Sequence, residues 1–214
     1  MIDHIVWYAE ELGQGIEDFQ QLAGIRAVNG GTHAGLGTHN ALLALGERCY
    51  LEIIAPDPKQ TNGAWRECLH RASHPGLFHW ALAVPGLESL SQCAGDDLLR
   101  NRSVVRASRE SANLGILSWK LLKVDGHSFG ALLPLLIDWE DSPHPAQAAP
   151  RGCRLKSLKV YSPDKRRLDA FFSALNSKIS VIEDTDPHFS VTMSTARGDL
   201  ELNSIRPLPA GLAF

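Results

Sequence analysis

One local pattern, an extended segment, a helix and then three short extended segments, is written about three times along the chain. That repeat restricts the fold more than any other feature. In the first copy Ile2–Tyr8 alternates as a strand, Leu12, Ile16, Phe19 and Leu22 fall at helical spacing, and Gly24 stands where a left-handed residue closes a helix. Short strands over Ile25–Val28, Ala41–Leu45 and Arg48–Ala55 follow, punctuated by Asn29-Gly30-Gly31 and Gly46. The second copy has a strand at Leu77–Val84, a helix carrying Leu87, Leu90, Ala94 and Leu98, and strands at Val104–Ser108, Leu117–Val124 and Ala131–Trp139. The third starts at Leu155, with Ser162 as N-cap, Pro163 at the first helical position, and Leu168, Phe171, Phe172 and Leu175 as the apolar face. Its strands are Ile179–Glu183, His188–Ser194 and Asp199–Leu202. Each copy is too short for a repeated βαβ unit and leaves one sheet face bare, so copies must pair. The expectation is an α+β chain: paired modules over 1–58 and 76–142, together 1–145, then a degenerate third module over 153–214. Residues 57–75 read as a connector with a short amphipathic helix (Trp65, Cys68, Leu69, Ala72), and residues 140–152 as a proline-rich loop.

With a net charge of −3, the 214-residue chain offers no long-range attraction to nucleic acid or anionic membrane. No apolar run approaches the roughly 18 residues of a membrane span. An acid at Asp3 stands where a signal peptide carries Lys or Arg, so a cytoplasmic protein is expected. Cys49, Cys68, Cys93 and Cys153 lie far apart with no CxxC pair and read as free thiols.

Chemistry is suggested by polar residues at equivalent positions of the first two copies. His4 and His79 open the corresponding strands, each eight residues before the first leucine of its helix, Leu12 or Leu87. Glu52 and Asp138 sit in the last strands, flanked by Leu and Ile. A carboxylate there is costly unless paired, hydrogen-bonded or bound to a metal. Two imidazoles and two carboxylates brought together by a pseudo-twofold would suit an octahedral Fe, Mn, Ni, Co or Zn ion. The plainer reading makes the histidines structural and pairs Glu52 with Arg48 or Lys120.

These residues also carry a resemblance. Met1-Ile-Asp-His4-Ile-Val, Gly30-Gly-Thr-His33, Gly37-Thr-His-Asn40 and Tyr50-Leu-Glu52-Ile-Ile-Ala-Pro56 look like the glyoxalase-like branch of the vicinal oxygen chelate superfamily. Leu133-Pro-Leu-Leu-Ile-Asp138-Trp139, His144-Pro145, Arg109, Gly115 and Trp119 fit the same branch. The resemblance implies βαβββ modules forming a curved mixed sheet around a cleft. It also implies metal ligands at His4, Glu52 and His79, with Asp138 where Glu is usual. Copy three, with Ser157 and Glu201 at the matching places, would carry no complete site and would cover the cleft or contact a second copy in a homodimer.

The resulting expectation is a divalent-metal-dependent lyase, isomerase or dioxygenase acting on a small carbonyl, enol or diol compound. Glu52 or Asp138 would shuttle the proton, and Thr38, His39, Asn40, Arg109 and Trp119 would contact substrate. One alternative is a metal-free protein that sequesters a small molecule or serves as a regulatory module. Another is a serine hydrolase: Gly126-His-Ser128-Phe-Gly130 matches a nucleophile elbow, with Asp186 and His188 following. The elbow needs a helix after the serine, and the sequence there reads as another strand.

Overall fold

The computed structural model describes residues 1–90, 102–111, 114–124 and 127–208. The first module comprises β1 (Ile2–Tyr8), α1 (Leu12–Ala23), β2 (Val28–His33), β3 (Thr38–Gly46) and β4 (Cys49–Pro56). A connector helix, α2 (Ala64–His70), buries Trp65, Cys68 and Leu69, as its spacing predicts. The second module comprises β5 (Gly76–Ala83), α3 (Leu87–Leu90), β6 (Arg102–Ser111), β7 (Gly115–Val124) and β8 (Leu135–Asp138). The expected helix continuation through Ala94 and Leu98 lies outside the described residues.

Both modules build the same four-stranded arrangement. β1 runs parallel to β4, and β5 runs parallel to β8. An antiparallel β1–β5 pairing joins them into one eight-stranded sheet, ordered β2-β3-β4-β1-β5-β8-β7-β6. Alternation then sorts the side chains. Ile5, Leu43, Leu51, Ile53 and Trp80 join the helices in one apolar cluster. Val6, Tyr50, Ile54, Phe78, Trp119 and Trp139 form a second cluster on the inner face. The sheet curls until its edge strands β2 and β6 meet. At that seam a Cβ on Gly31, whose φ is 156°, would sit 2.6 Å from the backbone oxygen of Glu110, so only glycine lets the strands approach this closely.

The expected strand boundaries change in two places. The glycine-rich stretch Gly30–Asn40, which lies between the expected strands ending at Val28 and starting at Ala41, forms most of the β2–β3 hairpin instead. The segment read as one strand from Ala131 begins as a single 3₁₀ turn, Gly130–Leu132, and pairs only from Leu135. That single turn is no helix, so Ser128 has no nucleophile elbow. Asp186 forms an ion pair with Arg206, while the His188 ring stacks on Tyr161 at 4.2 Å.

The third unit keeps the element order, with β9 (Arg154–Ser162), α4 (Lys165–Ala174), β10 (Ser180–Glu183), β11 (His188–Thr195) and β12 (Gly198–Asn203). Its strands pair in a different order, β10-β9-β11-β12, so it does not repeat the topology of the other two. The cap also moves: Asp164 occupies the N-cap position of α4, and Ser162 Oγ accepts the Asp164 N–H at 3.1 Å. Phe171, Phe172 and Phe189 merge this unit into the helix-side core, with Phe172 5.9 Å from Trp80. Cys49, Cys68 and Cys153 are buried and form no disulfide with one another, and Cys93 lies outside the described residues. Among the described residues no helix is long and apolar enough to cross a membrane.

Candidate active site

The inner face of the curled sheet gathers polar side chains around one carboxylate. Register places Glu52 beside Val6 and Leu42, and so on the same face as His4, Tyr50 and Asn40. Asn40 Nδ2 donates to Glu52 Oε1 at 2.5 Å. His33 Nε2 lies 3.5 Å from the same oxygen, and His4 Nε2 lies 3.8 Å from Oε2. The carboxylate is thus bracketed by two imidazoles and an amide.

Each imidazole is held from behind. Thr38 Oγ1 lies 2.9 Å from His33 Nδ1. Asp3 Oδ1 lies 2.8 Å from His4 Nδ1, and Tyr50 stacks on the His4 ring at 4.7 Å. Asp3 also accepts from Trp139 Nε1 at 3.0 Å and from His144 Nε2 at 3.2 Å. Burial pushes the Asp3 carboxyl up, but its bonds and charges with His144 and His4 outweigh this and hold it at about 2. Burial drives His33 down to about 4, although the Glu52 charge lifts it, so its ring is neutral at neutral pH.

Arg109 crosses from β6 to close the site. Its Nη1 donates to Gly30 O at 2.5 Å, and the buried guanidinium lies in the electrostatic reach of His33 and Tyr50. Together with His4, His33, Glu52, Trp65 and Trp119 it walls a space of about 20 Å³, room for one water. Trp119 serves there by packing on Trp139, ring centroids 5.2 Å apart.

The remaining expected residues fall differently. His79 is opposite Val6 at a bulge in β5, on the inner face, with Nδ1 2.9 Å from both the nitrogen and the oxygen of Trp80. Burial lowers His79 to about 4, and the nearby His4 adds to the effect. Asp138 points the other way. Leu135, Ile137 and Trp139 face inward, so Asp138 faces outward, where its oxygens accept from Gly86 N at 2.7 Å and Glu140 N at 3.0 Å. His39 pairs with Ala55 on the helix side and does not reach the site. Sequence reading missed Asp3 and His33 as site residues, although both stand in the quoted motifs.

The expected four-donor metal set is therefore not assembled. Among the described residues no three His, Cys, Asp or Glu side chains are arranged to hold a metal ion. Asp138 is on the wrong face, and Glu52 Oε1 is already engaged by Asn40. Among the described residues the donors present do not fit a resident metal.

Residues 2–176 match the family model described as a glyoxalase-like domain. The chain belongs to the glyoxalase-like domain family. No curated protein matches its sequence. Among solved structures, this glyoxalase-like protein resembles a hypothetical protein from Staphylococcus aureus, with a TM-score of 0.63 at 16% identity, over 95% of this chain and 85% of that one. Methylmalonyl-CoA epimerase from Mycobacterium tuberculosis aligns with a TM-score of 0.45 at 20% identity, over 68% of this chain and 91% of the epimerase. At 16% identity the likeness to the Staphylococcus aureus protein speaks to fold alone.

Proposed function

We propose that this glyoxalase-like protein is an enzyme that moves a proton on a small carbonyl, enol or diol compound, with Glu52 as the base. The observation that carries this reading is the buried Glu52 carboxylate at the wall of an interior space, flanked by His4 and His33. A buried carboxylate that serves only structure would be expected against a cation; this one meets an amide and two imidazoles. Glu52 would take a proton from the carbon beside a carbonyl, forming an enolate. The negative oxygen would be met by a donor already in place, and the buried Arg109 guanidinium is the group suited to it. His4 Nε2, next to Glu52 Oε2, would accept or return the proton. With room for about one water, the closed arrangement excludes bulk solvent. Admission of substrate would require the Arg109 contact to Gly30 to give way.

Deuterium exchange tests this. Wild-type protein in D2O, incubated with a panel of 2-oxo acids and 1,3-dicarbonyl compounds, is expected to exchange the acidic C–H of at least one, read by proton NMR. Glu52→Gln should lose about 100-fold or more of that rate while staying folded. Unchanged exchange in Glu52→Gln would remove the assignment. Sequestration without chemistry predicts instead that such compounds raise the melting temperature with no exchange at all.

A further inference from the structure

Asp3 takes no direct part in the proton transfer described above, yet it is 1% exposed and collects three side chains, that of its neighbour His4 and two from more than 130 residues away. An ionised carboxylate can only accept hydrogen bonds, so each partner must present a hydrogen. Trp139 Nε1 always does. His144 does so through Nε2, because its Nδ1 accepts the Ala146 N–H at 3.3 Å. His4, 2.8 Å away, must then carry its hydrogen on Nδ1.

That requirement has a chemical consequence at the other nitrogen. A neutral imidazole holds one hydrogen, so placing it on Nδ1 leaves Nε2 with a lone pair. Nε2 is the atom that faces Glu52 Oε2. Stacking on Tyr50 holds the plane of the same ring. We infer that Asp3 is a positioning residue that fixes the tautomer and orientation of His4, keeping Nε2 free to accept a proton inside the site. Trp139 and His144, bound to the second oxygen of Asp3, keep that carboxylate from turning away.

A carboxylate tying β1 to Trp139 and His144 could also be read as a structural strut, and the experiment separates the two. His4 tautomer is read from its ring ¹⁵N shifts and long-range couplings, in wild type, Asp3→Asn and Trp139→Phe. A positioning role predicts the Nδ1–H form in wild type and in Trp139→Phe, with a substantial shift toward Nε2–H in Asp3→Asn. A strut predicts similar losses of melting temperature in both variants and no change of tautomer, which would overturn the inference. The inference rests on the proton-transfer reading only for its rate consequence: Asp3→Asn should slow C–H exchange about 100-fold, against a far smaller effect of Trp139→Phe. A shifted tautomer with an undiminished rate would overturn that consequence. If wild type exchanges no compound, the proton-transfer reading fails, while the nitrogen spectra still decide whether Asp3 holds His4.

Discussion

Arg109 on β6 and Gly30 on β2 are joined by a 2.5 Å hydrogen bond across the two open edges of the eight-stranded sheet. A bond from a charged donor is worth about 1.5–3 kcal/mol, and here it closes the inner space as well. Arg109→Met keeps much of the side-chain bulk and removes the donor. It is expected to lower stability by about 2 kcal/mol in urea titration and to speed amide exchange along β2 and β6, with α1 unaffected. Equal exchange at the seam in both proteins would show that Arg109 does not hold it.

Acid should weaken the fold in two stages. His33 and His79 are pushed from 6.5 to about 4, chiefly by burial. Between those values the unfolded chain binds more protons than the folded one, so stability falls as pH drops from 6.5 toward 4. The difference amounts to about 3 kcal/mol for each ring, present in full above 6.5 and gone below 4. Asp3, lowered from 3.8 to about 2, adds stability above 3.8 that disappears as pH falls through 2. Urea titrations at pH 7.5, 5.5 and 4 check the first stage. Replacing either histidine with Gln should flatten that limb, and a wild-type stability independent of pH from 7 to 4 would contradict the burial argument.

The module repeat was legible because strand alternation and helical spacing leave a period in the sequence. Gly30-Gly31 misled because glycine marks turns far more often than a strand seam, and only the nearness of Glu110 O explains its use here. Asp138 misled for a different reason. β8 is covered on both faces, so Leu135-Leu136-Ile137 carries no alternation to say which way the next residue points. Asp3 and His33 were hidden because their roles depend on contacts the sequence does not display. Asp3 meets Trp139 and His144, more than 130 residues away, and His33 meets Glu52 across the β2–β3–β4 register.

Asp138 therefore offers a direct contrast with Glu52. Its oxygens bind Gly86 N and Glu140 N, which fastens the start of the second-module helix to the end of β8. Asp138→Ala is expected to cost about 1–3 kcal/mol of stability and to leave C–H exchange within twofold of wild type. A loss of exchange comparable to that of Glu52→Gln, in protein with an unchanged melting temperature, would return Asp138 to the site.

Metal dependence is decided by the same donors. With Asp138 facing outward and Glu52 Oε1 held by Asn40, no three His, Cys, Asp or Glu side chains among the described residues are arranged to share an ion, which leaves too few for tight retention. Protein purified without added metal should carry well under one equivalent of Fe, Mn, Ni, Co or Zn by elemental analysis. Dialysis against EDTA should leave both melting temperature and C–H exchange unchanged, and His4→Ala should not alter metal content. One equivalent of divalent metal in wild type, lost in His4→Ala and in His79→Ala, would instead mean that the inner face rearranges to bind an ion.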